Sequence, residues 1–120
     1  MTIDELFSIK GVVAAGEFDE LGRLKGFKSK TLTKQQADST AMLSGSLVSL
    51  LGTISSLYTT YCGVLLSPFR GVTVKGVDYS IMLHCGEKTC LGVIIKNEDA
   101  DYANIEKKVE YFSNNGVIKT

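Results

Sequence analysis

Between Ala41 and Leu66 the chain reads AMLSGSLVSLLGTISSLYTTYCGVLL, with no Lys, Arg, Asp or Glu, although charged residues make up 22% of the sequence. A run of that length without Pro reads as one long helix, and whatever else the chain builds must cover one side of it. Placed at about 100° per residue, Leu43, Leu47, Leu50, Ile54, Leu57 and Tyr61 fall on one stripe, and Gly45, Ser49, Gly52 and Ser56 fall on the opposite one. The large apolar stripe is expected to pack on a sheet of the same chain. The small stripe is expected to admit another helix at close approach. A solvated face normally carries Lys and Glu, and each interior glycine costs about 1 kcal/mol relative to Ala.

The same run is long enough to span a membrane, since ~20 apolar residues cross the hydrocarbon core. Gly45-x-x-x-Ser49 and Gly52-x-x-x-Ser56 also have the small-xxx-small spacing of membrane helix pairs. Its serines and threonines, however, gather largely on one side, whereas a lipid-facing helix is apolar all round. No membrane insertion is expected. Thirteen basic and thirteen acidic residues give a formal net charge of zero, which leaves little electrostatic capture of nucleic acid. The acidic opening Met1-Thr2-Ile3-Asp4-Glu5 lacks the basic region of a secretory signal. Cys62, Cys85 and Cys90 form an odd, sparse set typical of a reducing compartment. A cytoplasmic protein with mostly free thiols is expected.

At 120 residues the chain suits one domain spanning 1–120. Thr2-Ile3-Asp4-Glu5 has the pattern of a capping box and opens a short helix that Gly11 can stop. Gly11 to Phe18 and Arg23 to Lys28 read as a hairpin, with Gly16 and Gly26 marking bulges or the close passage of a helix. A second capping box, Thr33-Lys34-Gln35-Gln36, predicts a helix from about Lys34 to about Tyr61, ended by Gly63 and Pro68. Gly71 to Val77, Ser80 to Cys85 and Cys90 to Lys96 then read as an antiparallel meander. The near-continuous apolar run Cys90 to Ile95 predicts a central strand buried on both faces. Asn97-Glu98-Asp99 predicts an acidic helix start, Ile105, Val109 and Phe112 the buried stripe, and Asn114-Asn115-Gly116 the C-cap. The order is helix, two strands, long helix, three strands, helix: an α+β fold with a five-stranded antiparallel sheet covered by helices.

Little in the chain carries chemistry. Gly11 to Gly16 has the spacing of a phosphate loop, but Glu17 stands where Lys is needed. His84, Cys85 and Cys90 could approach a zinc ion, yet adjacent strand residues point to opposite faces and a fourth ligand is missing. Packing is the expected role of Cys85 and Cys90, with a redox pair across the hairpin as the alternative. The lone His84 has no Ser/Asp set at suggestive spacing, and the acidic pairs sit at helix starts or turns. No catalytic residue, cofactor or metal is therefore expected. Arg70 and the segment Gly76-Val77-Asp78-Tyr79-Ser80 stand out among the remaining polar positions. Asp78 is expected to start a turn through its side chain, and Tyr79 to pack at the sheet end or make a contact.

Three stretches carry a resemblance: Gly11-Val12-Val13-Ala14-Ala15-Gly16-Glu17-Phe18, Pro68-Phe69-Arg70-Gly71 and Gly76-Val77-Asp78-Tyr79-Ser80. With the element order, they resemble the roadblock-type dynein light chain superfamily, in particular an uncharacterised prokaryotic branch. That resemblance implies a long central helix on one face of the sheet and the shorter terminal helices on the other, as in roadblock and profilin folds. It also implies a non-enzymatic homodimer in which the long helices align and the strand after each joins its twin edge to edge. The implied interface residues are Gly45, Val48, Ser49, Gly52, Ser56, Arg70, Val72 and Val74. Relatives scaffold or regulate small Ras-like GTPases or serve motor complexes, which makes a small GTPase the implied protein partner. The alternative is a small-ligand or redox-sensing domain with a pocket between sheet and helix, lined by Tyr58, Tyr61, Cys62 and Cys85.

Overall fold

The apolar run Cys90–Lys96 forms the middle strand of a five-stranded sheet, with Leu91, Val93 and Ile95 buried on one face and Cys90 on the other. The computed structural model describes residues 2–87 and 89–115, the side chain of Thr2 excepted. In chain order the elements are α1 (Thr2–Ser8), β1 (Val12–Phe18), β2 (Leu24–Ser29), α2 (Lys34–Cys62), β3 (Gly71–Lys75), β4 (Tyr79–Cys85), β5 (Cys90–Lys96) and α3 (Tyr102–Asn115). The strands lie in the order β2-β1-β5-β4-β3, every neighbouring pair antiparallel. This is the expected α+β architecture. The expected cap at Thr2 rests on a side chain that is not described, and Gly116 and the tail 117–120 lie outside the described residues.

Successive strand residues alternate between two unequal cores. On one face Val12, Ala15, Met82, Leu91, Val93 and Ile95 meet Ile3 and Leu6 of α1 and Ile105, Val109 and Phe112 of α3. A Cβ on Gly26 would touch Ile3 at 3.6 Å, an ordinary contact, so α1 does not need the glycine in order to approach the sheet. On the other face Phe18, Leu83 and Cys90 meet Ala41 of α2, with Leu24, Leu47, Val48, Val72, Ile81 and Cys85 at the margin. The first core draws its side chains from five elements, α1, β1, β4, β5 and α3; the second is thin.

The long helix begins at the expected capping box. Thr33 Oγ1 accepts the Gln36 N–H at 3.1 Å and Gln36 Oε1 accepts the Thr33 N–H at 2.9 Å. It ends at Gly63 in a left-handed conformation. Beyond it, Thr59 Oγ1 accepts the amides of Leu66 and Ser67 at 3.0 and 3.1 Å, which turns the chain back toward Pro68 and the edge strand. At 1.5 Å per residue a helix of 29 residues is about 43 Å long, as long as the molecule's 42 Å principal extent. The helix therefore overruns the sheet beneath it. Its buried residues are Ala37, Ala41, Ser44 and Gly45. By length and composition it could cross a membrane, yet its first half lies on the sheet.

Two local expectations are corrected. Asn97-Glu98-Asp99 is a turn and not the start of α3; Asp101 caps that helix, its Oδ1 accepting the Asn104 N–H at 3.3 Å. The turn before β4 is not held by an Asp78 side-chain bond. Asn97 holds it: its amide donates to the carbonyls of Gly76 and Val77 at 3.0 and 3.1 Å, and its Oδ1 accepts from Ser80 Oγ at 2.7 Å and from the Tyr102 hydroxyl. Ser80 is almost fully buried, so Asn97→Ala should strand its hydroxyl and lower stability by about 2 kcal/mol. Urea denaturation at constant m would show this as a lowered midpoint.

Candidate functional site: the long helix and the edge strand

The sheet seats α2 through small side chains, which inverts the expected orientation of the helix. Ala37, Ala41, Ser44 and Gly45 are buried against the sheet and the β1–β2 turn, whereas Leu43 is 72% exposed, Leu50 58%, Leu57 49% and Tyr61 80%. Ile54 is also exposed, as are Met42 and Tyr58; Leu47 alone of the expected stripe packs at the margin of the second core. The physical reason is distance. A helix lying on a sheet already filled by Phe18, Leu83 and Leu24 has room at its contact line for methyl groups and hydroxyls, and none for a row of leucines. The expectation that the leucine stripe packs on the sheet is thus overturned, and a long apolar face points away from it.

Gly45 shows the closest approach. A Cβ there would stand 2.6 Å from both the nitrogen and the Cα of Gly22, and one on Gly22 would stand 2.9 Å from the Cα of Met42. Gly22 has φ +77°, in the left-handed region. The turn that carries it is fixed by Asp19, whose carboxylate accepts the N–H of Leu21 at 2.9 Å, the N–H of Arg23 at 3.0 Å and Nε of Arg23 at 2.7 Å. These bonds, the Arg23 amide first, together hold the Asp19 carboxyl below its usual range against the opposing effect of desolvation. Gly45 is therefore committed to a contact inside the subunit, a correction to its expected place facing a second copy.

The other expected interface residues separate into two places. Val48, Ser49, Gly52 and Arg70 line one groove, together with Glu20, Leu21, Phe69 and Cys85. A Cβ on Gly52 would meet nothing within 4 Å. Ser56 lies exposed one turn further on. Val72 and Val74 share the α2 face of β3, opposite Leu83 and Ile81, the first packed on the second core and the second half exposed. β3 is an edge strand paired only with β4 in the sheet, and its outer backbone groups face away from β4. Lys75 is its one charged residue, so the edge has little of the charge that normally discourages pairing.

On the opposite side of β4, His84 Nδ1 lies 2.6 Å from Ser113 Oγ, which itself donates to the Glu110 carbonyl at 3.0 Å. That leaves the serine oxygen to accept an Nδ1–H. Partial burial holds the His84 pKa below its ordinary value; Glu110 and Glu106 oppose this and Arg70 reinforces it. Ser113 is fully buried, so the pair is a packing bond and not a nucleophile with its base. Glu17, at the failed phosphate-loop position, sits in β1 and accepts from Thr89 Oγ1 at 2.7 Å. Tyr61 and Cys62 are exposed at the overhanging end of α2, and the cleft between helix and sheet is lined by Phe18, Leu24, Phe27, Ala37 and Ala41 instead. The expected pocket of Tyr58, Tyr61, Cys62 and Cys85 is therefore not formed there. Cys85 and Cys90 are joined by a disulfide, which corrects the expectation of free thiols at those two positions.

The profile of an uncharacterised conserved protein family, DUF2173, matches residues 2–110. The chain belongs to the DUF2173 family. Solved structures place that family's fold: a Roadblock/LC7 domain from Streptomyces avermitilis superposes with a TM-score of 0.76 at 22% identity, over 93% of this chain and 88% of that one. The gliding protein MglB of Thermus thermophilus gives 0.75 at 16% identity, over 93% and 80%. MglB of Myxococcus xanthus gives 0.77 at 18%, over 93% and 85%. The DUF2173 chain thus has the roadblock fold. No curated protein sequence matches it significantly.

Proposed function

We propose that this DUF2173 protein is a single roadblock-like domain acting as a non-enzymatic, cytoplasmic homodimeric adaptor or regulatory module. The observation that carries the reading is the exposed apolar face of α2, Leu43, Leu50, Ile54, Leu57 and Tyr61, accompanied by an edge strand with almost no protecting charge. A contiguous apolar surface of this kind on a folded chain marks a protein contact. Two copies meeting through these faces would bury the leucines and pair one β3 with the other. Ser49, Gly52, Ser56, Arg70, Val72 and Val74 belong to the proposed seam or its rim, Val48 supports it from below, and Gly45 does not take part.

The roadblock fold, shared with MglB structures, one of which has a tetrameric arrangement, supports self-association of this kind. A small Ras-like GTPase as the further partner rests on kinship of fold. Sedimentation equilibrium tests the first part: a dimer is expected at roughly 20 μM, a concentration that populates interfaces of micromolar or tighter affinity, and a monomer there would reject it. Capture from extract of the native cell tests the second. Small GTPases enriched over a seam-disrupted variant support it, and a captured set without any removes it.

A further inference from the structure

Cys85 ends β4 and Cys90 begins β5, and the two stand directly opposite in the ladder with Cα atoms 4.1 Å apart and their sulfurs joined. Cys90 is buried with Phe18, Ala41 and Leu83, while Cys85 packs at the margin of that cluster. Both nevertheless line a groove that opens to solvent beside Asp19, Arg23 and Lys25. One side of the bond is therefore sealed by the second core, and the other is within reach of a small solute.

We propose that Cys85 and Cys90 form a reversible thiol–disulfide site whose reaction partner is a low-molecular-weight thiol or its disulfide, reached through this groove. This goes beyond the assembly reading and does not depend on it. A thiolate from solution attacks the sulfur of Cys85, the less buried residue; the Cys85–Cys90 bond breaks and Cys90 leaves as a thiolate that takes up a proton. A second thiolate attacks the solute sulfur of the mixed disulfide, forming the solute disulfide and releasing Cys85 as a thiolate, which is protonated in turn. Two solute thiols supply the two electrons, and the reverse sequence uses the solute disulfide as oxidant. The consequence falls on the edge strand. The Cys85 N–H donates to the Arg70 carbonyl at 2.8 Å and the Gly86 N–H to the Thr89 carbonyl at 3.1 Å. With the covalent tie open, the hairpin end and the start of β3 are held by hydrogen bonds, these two together with the Thr89 N–H donating to the Ser113 carbonyl at 3.3 Å and Thr89 Oγ1 to Glu17 at 2.7 Å.

The test uses the full chain carrying Cys62→Ser, equilibrated across a series of reduced and oxidised glutathione, with thiols counted by alkylation and mass. The two remaining thiols should close and open as a pair within the series, and the amides of Cys85 and Gly86 should exchange about tenfold faster in the reduced form. A disulfide that yields only after unfolding overturns the proposal, as do two thiols that stay open in oxidised glutathione. In the same background Cys90→Ser should accumulate glutathione on Cys85, while Cys85→Ser should leave Cys90 unmodified. Modification of Cys90 first would reverse the assigned order of attack. If either variant fails to fold, the paired titration of the parent still decides.

Discussion

Replacing both Leu50 and Leu57 with glutamate is expected to give a folded monomer. Both side chains are about half exposed in the isolated subunit, so neither contributes its full burial to folding, and neither lies near the line where Ala41 and Gly45 meet the sheet and the β1–β2 turn. In a twofold assembly each substitution counts twice. Four half-buried leucines lost from an interface amount to roughly 4 kcal/mol, about a thousandfold in Kd, before the cost of desolvating the new carboxylates. Sedimentation equilibrium should report the monomer mass, with far-UV circular dichroism and the urea m-value unchanged. A double variant that still dimerises would place the contact elsewhere and remove the leucine face from the proposed seam.

Two glycines of one helix should answer oppositely. Gly45→Val forces a branched side chain into the backbone of Gly22 at 2.6 Å, where neither partner can yield. The turn tied by Asp19 must lift off or α2 must tilt. Overpacking of this severity costs about 3 kcal/mol, enough to unfold a marginal domain at moderate temperature. Gly52→Ala adds a methyl group where nothing lies within 4 Å and should stabilise by up to about 1 kcal/mol through helix propensity. Chemical denaturation in the Leu50→Glu, Leu57→Glu background separates both effects from assembly. A neutral Gly45→Val would show that the turn does not fix the seating of α2.

Much of the fold is legible because its determinants are local. The capping box at Thr33, the apolar run ending at Ile95, the alternation along β2 and β3 and the short turns name eight elements and the middle strand without reference to any neighbour. Boundaries slip where a side chain serves a distant partner. Asn97 looks like the start of a helix, yet its hydrogen bonds run to Gly76, Val77 and Ser80, some twenty residues earlier. Cys85 and Cys90 read as packing residues with a redox pair across the hairpin as the alternative, and the register of β4 and β5 decides for the pair by setting them face to face.

The sequence by itself determined that residues 34 to 62 are one helix with a large side and a small side, and that an antiparallel sheet accompanies it. Which side meets the sheet was decided by tertiary structure. Periodicity measures the difference between two faces, and it is silent on how much space the partner surface leaves. Phe18, Leu24 and Leu83 fill that space from the sheet, and Gly22 comes up against Gly45. Ala37, Ala41, Ser44 and Gly45 go in because only small side chains fit there, while Ser49 and Ser56 of the small stripe stay exposed and most of the leucines face away from the sheet.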